Sequence, residues 1–408
     1  MIFHAILRRL VARGSLRVRY PDGTEHTYGD GTQPRAAFAL TTKRAERRMV
    51  TDPSLAIGEL YMDRELVPLG CEAFDVLSVF IHNLAVGQVH PFESAMRTLR
   101  TARRRIDQWN PAGRSRRNVA HHYDLDGRLY DQFLDRDRQY SCAYFPTGRE
   151  TLDEAQEAKK RHIASKLLLD RPGLEVLDIG CGWGGMALTL ARDWNVAVTG
   201  ITLSTEQLEV ARGRAAAAGL AGRVQFELMD YRAWTRPVDR VVSVGMFEHV
   251  GLSQFGRFFG TLRRMLRPDG VALVHAMGRS RGPGTTNPWL AKYIFPGGYS
   301  PALSEVVPAI ERSGLYLTDL EILRMHYAET LRHWRARFAA NRQRIADLYD
   351  ERFCRMFEFY LAGSETAFRW ADHMVWQAQL SPRTAAVPTT RDYIHGAERT
   401  APRERVDA

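Results

Sequence analysis

Lysine is scarce in this chain. It stands only at 43, 159, 160, 166 and 292, so almost all of the 57 basic residues are arginine. Against 47 acidic residues they leave a formal net charge of +10. An arginine-rich surface suits phosphate partners, either lipid headgroups or nucleic acid. No zinc-finger, basic-zipper or RNA-recognition signature accompanies the charge, which disfavours nucleic acid. Cysteine is also sparse: positions 71, 142, 181 and 354 fit neither a zinc framework nor a disulfide ladder. Reduced thiols in the cytosol are the expectation. No run of roughly 18 apolar residues is present, so no membrane-spanning helix is expected. The first residues, Met1 to Arg13, are too interrupted by arginine for a signal peptide.

What is present divides the chain. At 408 residues two domains are the natural expectation. Residues 1–100 read as a small mixed α/β domain with no catalytic cluster. Its opening helix puts Ile2, Phe3, Ile6, Leu7, Leu10 and Val11 on one face and Arg8, Arg9 and Arg13 on the other, a pattern that suits core docking or a membrane surface. Residues 101–120 read as a basic linker, overlapping an arginine-rich stretch over 97–117. Residues 121–380 form the second domain. Residues 326–378 read as almost wholly helical and unusually aromatic, and 381–408 as a disordered tail.

The second domain is organised around Glu175-Val-Leu-Asp-Ile-Gly-Cys-Gly-Trp-Gly184. An apolar strand, a glycine turn and then the helical Met186–Ala191 make the entry to a nucleotide-binding α/β unit. Strands alternate with helices thereafter, predicting a doubly wound parallel sheet. Glycine turns of this kind serve dinucleotides, flavins and S-adenosylmethionine alike. Here strand two ends Gly200-Ile-Thr202, where a nicotinamide enzyme wants an acid for the ribose hydroxyls. Strand three is followed by Asp230-Tyr231-Arg232, placed to read an adenine. Together these favour S-adenosylmethionine.

The ordered motifs Tyr140-Ser-Cys-Ala-Tyr-Phe145, Leu177 to Gly184, Gly200 to Ser204 with Gln207, Met246-Phe-Glu-His-Val-Gly251, His275-Ala-Met-Gly278 and Tyr293-Ile-Phe-Pro-Gly297 resemble the cyclopropane-fatty-acyl-phospholipid synthase family, relatives of the mycolic acid cyclopropane synthases. The small N-terminal domain also looks like that of members acting on phospholipids, through Asp52-Pro-Ser54 and Gly58 to Asp63. The resemblance implies a class I S-adenosylmethionine-dependent methyltransferase: a Rossmann-like doubly wound α/β sheet with an α+β N-terminal domain and helical C-terminal additions. It implies cofactor contacts at Tyr140, Ser141, Gly180, Gly182, Thr202, Leu203, Gln207, Tyr231 and Arg232, the last through its backbone. It implies a bound bicarbonate as proton acceptor, at Cys142, Glu248, His275, the backbone of Met277, and Tyr327. The implied partner is membrane phospholipid at the inner face of the cell membrane, with no nucleic acid and a possible homodimer.

The reaction makes sense of such a set. An alkene is a weak nucleophile, so the methyl donor must be a strong electrophile, and a sulfonium is one. Methylation leaves a cation on the acyl chain, and loss of one proton from the new methyl closes the ring. Taken singly, His275 reads as a core histidine, Cys142 as an inert thiol and Tyr327 as packing. A zinc site from Cys142, Glu248 and His275 fits in residue type but has no closely spaced ligand pair, so no metal is expected. A methyl-branching enzyme, an amine methyltransferase and a non-catalytic lipid-binding protein are the competing readings.

Overall fold

The structure is a computed structural model that describes residues 2–87 and 127–400. The basic stretch at 97–117, the linker at 101–120 and the segment from His121 lie outside the described residues. Among the described residues no helix is long and apolar enough to cross a membrane.

Along β1 (Ser15–Arg19), Leu16 and Val18 are buried while Arg17 and Arg19 face solvent, the period of a half-buried strand. β1 runs antiparallel to β2 (Glu25–Tyr28) and parallel to β3 (Arg35–Leu40), and β4 (Leu66–Pro68) closes the order β2-β1-β3-β4. β2 is too polar and β4, at three residues, too short for periodicity to reveal. Helix α1 (Ile2–Leu10) buries Phe3, Ile6, Leu7 and Leu10, while Ile2 stays 67% exposed. Its apolar face is therefore occupied by the N-terminal core, and Arg8 and Arg9 face outward. Helices α2 (Lys43–Thr51), α3 (Pro53–Met62) and α4 (Ala73–Ala85) complete this unit.

The second sheet has seven strands in the order β10-β11-β9-β8-β5-β6-β7. Strands β5 (Glu175–Ile179), β6 (Ala197–Thr202), β7 (Val224–Leu228), β8 (Val238–Val244) and β9 (Leu266–Arg279) are parallel neighbours. Strand β11 (His373–Ser381) lies between β9 and β10 (Tyr316–Leu323), antiparallel to both. The parallel strands bear out the doubly wound expectation, and β11 corrects its edge. Residues 326–378 are helical only to Trp370. Met374-Val-Trp-Gln-Ala-Gln-Leu380 is a fully buried strand, and its two glutamines hid the apolar run.

The remaining helices described, in chain order, are α5 (Gly127–Phe133), α6 (Leu152–Lys166), α7 (Gly185–Trp194), α8 (Thr205–Ala217), α9 (Phe255–Met265), α10 (Pro288–Tyr293), α11 (Leu303–Arg312), α12 (His326–Ala340), α13 (Arg342–Leu348), α14 (Glu351–Trp370) and α15 (Asp392–Thr400). Thr151 and Glu154 cap α6 reciprocally, as their spacing predicts. Helix α15 replaces the expected disordered tail over its length. Ile394 is 1% exposed, and the Tyr393 hydroxyl meets Gln379 at 2.8 Å. An anchor such as Ile394 is too little for composition to register.

The two units pack through α14. Tyr61 donates to Glu358 at 2.9 Å, Arg355 to the Met62 carbonyl at 2.7 Å, and Phe74 lies 5.8 Å from Trp370. Glu59 accepts from Lys292 at 2.6 Å, from Tyr293 at 2.8 Å, and from Arg48. It ties α3 to α10.

Candidate functional site

The glycine turn leaves β5 at its carboxyl end, where β6 and β8 diverge, the switch point at which such sheets bind ligands. Gly180, Gly182 and Gly184 all have positive φ (81°, 54° and 85°), so L side chains are disfavoured there. A Cβ on Gly180 would lie 2.9 Å from that of Met246, whereas nothing stands within 4 Å of one built on Gly182. The backbone at 182 thus borders open space.

That space is a cleft enclosing about 1140 Å³, part of it open to solvent. Every residue expected to touch the cofactor lines it: Tyr140, Ser141, Gly180, Gly182, Thr202, Leu203, Gln207, Tyr231 and Arg232. Thr202 donates its hydroxyl to Gln207 Oε1 at 2.8 Å, which leaves Gln207 to offer its amide N–H groups. Ser204 caps α8 by accepting from the Gln207 N–H at 3.3 Å. Tyr231 packs edge-on against Phe258 with centroids 5.3 Å apart. The Arg232 guanidinium pairs with Asp230 at 2.5 Å, and the Arg232 N–H donates to Asp230 at 3.0 Å. The backbone contact expected of Arg232 is thus already engaged with Asp230 through its N–H.

The segment Tyr140–Cys142 is held from behind. Gln156 of α6 donates to the Ser141 carbonyl at 3.0 Å, and Lys159 donates to Ser141 Oγ at 2.8 Å and to Gln139 at 2.6 Å. Thr330 of α12 accepts from the Ala143 N–H at 3.0 Å. Lys159 is fully buried, and burial lowers its pKa to about 8. Its spacing within α6 marks a helix but does not mark a buried cation, so sequence reasoning missed it. Asp178, Met246 and His249 also line the cleft. Burial raises Asp178 to about 7 and lowers His249 to about 4. Asp178 Oδ2 is buried without a hydrogen-bond partner among the described residues.

The expected anion residues lie beside this cleft rather than on its wall. Glu248 sits in a short 3-10 turn after β8, 4% exposed. Its Oε1 accepts from the Met277 N–H at 2.6 Å, and its Oε2 is buried with no hydrogen-bond partner among the described residues. Burial raises its carboxyl to about 7, against the smaller opposing pull of the Met277 N–H. His275 lies two residues before Met277 on β9 and so shares its face of the strand. Burial keeps its pKa well below the usual histidine range. Cys142 and Tyr327 belong to one apolar cluster, and Met277 packs against it. Burial pushes the Cys142 thiol up, and the thiol donates to the Ala143 carbonyl at 3.2 Å. The structure therefore joins Glu248 directly to Met277 and gathers Met277, Cys142 and Tyr327 at one cluster. Tyr140 and Trp183 line the cleft and pack in the same cluster as Cys142 and Tyr327, and the chain neighbours His249 and Ser141 link Glu248 and Cys142 to it.

Residues 111–378 match the family described as mycolic acid cyclopropane synthetase. The chain belongs to that family. Residues 2–70 match a domain of unknown function. The chain is 38% identical over 340 residues to the cyclopropane-fatty-acyl-phospholipid synthase of Escherichia coli K12, covering 82% of this chain and 85% of that protein. It is 36% identical over 391 residues to the tuberculostearic acid methyltransferase UfaA1 of Mycobacterium tuberculosis, covering 90% and 88%. The structure superposes on mycolic acid cyclopropane synthase CmaA1 complexed with SAH and CTAB with a TM-score of 0.62 and 33% identity, covering 67% of this chain and 99% of that one. The second domain is thus a class I S-adenosylmethionine-dependent methyltransferase, and the chain is an enzyme of the cyclopropane synthase family. The cleft fits the cofactor: glycine backbone at one side, neutral hydrogen-bonding groups at Thr202 and Gln207, and an aromatic at 231.

Proposed function

We propose that this enzyme adds a methylene across the cis double bond of unsaturated phospholipid acyl chains, making a cyclopropane ring, with bicarbonate held beside the cleft as proton acceptor. The observation that carries the reading is Glu248: a buried carboxylate whose one oxygen is fixed by the Met277 N–H and whose other oxygen has no hydrogen-bond partner among the described residues. A buried polar atom left unpaired is costly and calls for a ligand. A carboxylate beside an anion is repulsive unless it accepts the ligand's own hydroxyl, and bicarbonate has one to give. Bound S-adenosylmethionine supplies the electrophilic methyl. His275 and Tyr327 would donate to the anion, and Cys142 would donate weakly. Aromatic residues of the shared cluster, including Trp183, Trp334 and Phe368, offer apolar walls to a chain that has no polar handle and π-faces to a passing cation. The arginine-rich stretch at 97–117 is the candidate contact with anionic headgroups at the inner membrane face.

A second reading is methyl branching, favoured by the match to tuberculostearic acid methyltransferase over 90% of the chain. Expression in a host that lacks cyclopropane fatty acids tests both. Lipid mass spectrometry should show a gain of one CH2, and NMR of the purified acyl chains should show a ring. Branched chains would transfer the assignment to the second reading, and unchanged lipids would refute action on phospholipid. Sedimentation with anionic vesicles tests the headgroup contact: glutamate at 103–105 should abolish binding, and unchanged binding would remove that stretch from the account.

A further inference from the structure

Behind His275 runs a line of buried polar side chains that the reading above does not use. Lys166, the last residue of α6, donates from Nζ to Gln377 Oε1 at 2.8 Å. Gln377 lies opposite His275 in the β11–β9 register, and its Nε2 meets His275 Nδ1 at 3.1 Å. Lys166 and Gln377 are completely buried and His275 is 2% exposed. Lys166 also pairs with Glu321 of β10, which accepts from His162 of α6 at 2.6 Å.

Hydrogen-bond logic fixes the direction of this line. An ammonium donates only, so the Gln377 carbonyl oxygen must face Lys166. The amide NH2 must then face His275. A nitrogen that accepts from an amide cannot carry its own proton, so Nδ1 is bare and the ring proton sits on Nε2. We propose that Gln377, oriented by Lys166, is a positioning residue that fixes His275 as the Nε2–H tautomer, so that the imidazole presents a donor on its free edge. The inference rests on His275 serving as a donor to the bound anion. It explains why Gln377 is buried within an apolar sheet and why the buried Lys166 faces it. A histidine free to change tautomer would present a lone pair to the anion in part of its population, which is repulsive.

The groups facing His275 are Lys159, Lys166 and His162 from α6, Glu321 from β10 and Gln377 from β11. Among the described residues only Gln377 bonds Nδ1, so a Gln377→Glu substitution changes the rule at that atom. The carboxylate accepts rather than donates, drawing a proton to Nδ1. At low pH the ring then carries both protons and still donates from Nε2. As pH rises the remaining proton stays on Nδ1 and the donor is lost.

The first measurement needs no variant: 15N NMR of histidine-labelled full-length enzyme, with the His275 signals identified by their loss in His275→Asn. The expected spectrum has a protonated Nε2 and a bare Nδ1; a proton on Nδ1, or tautomers in exchange, overturns the proposal. The second is turnover against pH. The ratio of Gln377→Glu to wild-type turnover should fall about tenfold or more between about pH 6 and about pH 9. A ratio that stays flat overturns the proposal. Turnover in bicarbonate-depleted buffer separates the two levels. Loss of bicarbonate dependence with the Nε2–H tautomer intact refutes the anion reading alone. An Nδ1–H tautomer with bicarbonate dependence preserved refutes only the relay.

Discussion

The cofactor cleft and the Glu248 compartment lie side by side at the same strand ends, and they are built by opposite means. The cleft is made of backbone and neutral side chains, opens to solvent, and draws its shape from the positive-φ glycines at 180, 182 and 184. The compartment is made of buried side chains whose protonation is set by burial: a carboxyl raised to about 7, a histidine held neutral and a thiol pushed up. Binding in such an enzyme can be shaped by geometry alone. Handling a proton beside a hydrocarbon chain requires groups whose charges are controlled.

If the compartments are separate in function, Glu248→Gln divides them most sharply. Turnover should fall by about 100-fold or more, the scale of a lost acid–base partner. Cofactor affinity by calorimetry should stay within about threefold, because Glu248 does not line the cleft. A parallel loss of both would break the distinction.

The same substitution should stabilise the fold. A carboxyl raised from 4.5 to about 7 holds its proton longer in the native state than in the unfolded chain. Wild-type stability therefore falls as pH rises from about 4.5 to about 7 and is level beyond, a loss of up to about 3 kcal/mol that glutamine does not suffer. Denaturant midpoints at pH 5 and pH 8 would show it; a wild type equally stable at both would place Glu248 in a wetter site. The same ionisation predicts an acid limb near pH 7 in the turnover profile.

On the cleft side, Gly180→Ala meets both a positive φ of 81° and the Met246 side chain. Forcing a left-handed backbone costs about 1–2 kcal/mol, so cofactor affinity should drop about tenfold. Unchanged affinity would show that the turn relaxes freely. The smallest effect is expected away from both compartments, at Glu59. Burial pushes this carboxyl up, but Lys292, Tyr293 and Arg48 outweigh it and hold it at about 2. A depressed acid stabilises above its unfolded pKa and ceases to as pH falls through its folded one. Glu59→Gln should cost about 1 kcal/mol at neutral pH, with the difference fading in acid. A constant difference across pH would mean that packing, not charge, is what the substitution removes.

The same contrast explains what could be read in advance. Glycines, caps and strand ends leave fixed spacings, so the turn at 180–184, Gln207 and Tyr231 were visible from the chain alone. Glu248, His275, Cys142 and Tyr327 are far apart in sequence, and their use depends on burial, so resemblance to a family had to bring them together. Lys159, Lys166 and Gln377 were invisible to both. Their residue types suit a surface, and only the antiparallel insertion of β11 beside β9 places Gln377 against His275. That insertion was itself hidden, because its polar residues interrupt the apolar pattern of a strand.

The central claim is that the compartment turns a transferred methyl into a ring with the help of a bound anion. Purified enzyme, vesicles of cis-unsaturated phospholipid and methyl-13C-labelled S-adenosylmethionine test it most directly, by 13C NMR of the recovered acyl chains with and without bicarbonate. The account predicts label in a ring methylene, formed at a rate that collapses in carbon-dioxide-free buffer and recovers when bicarbonate is restored. Label in a branch methyl, or a rate indifferent to bicarbonate, would contradict it.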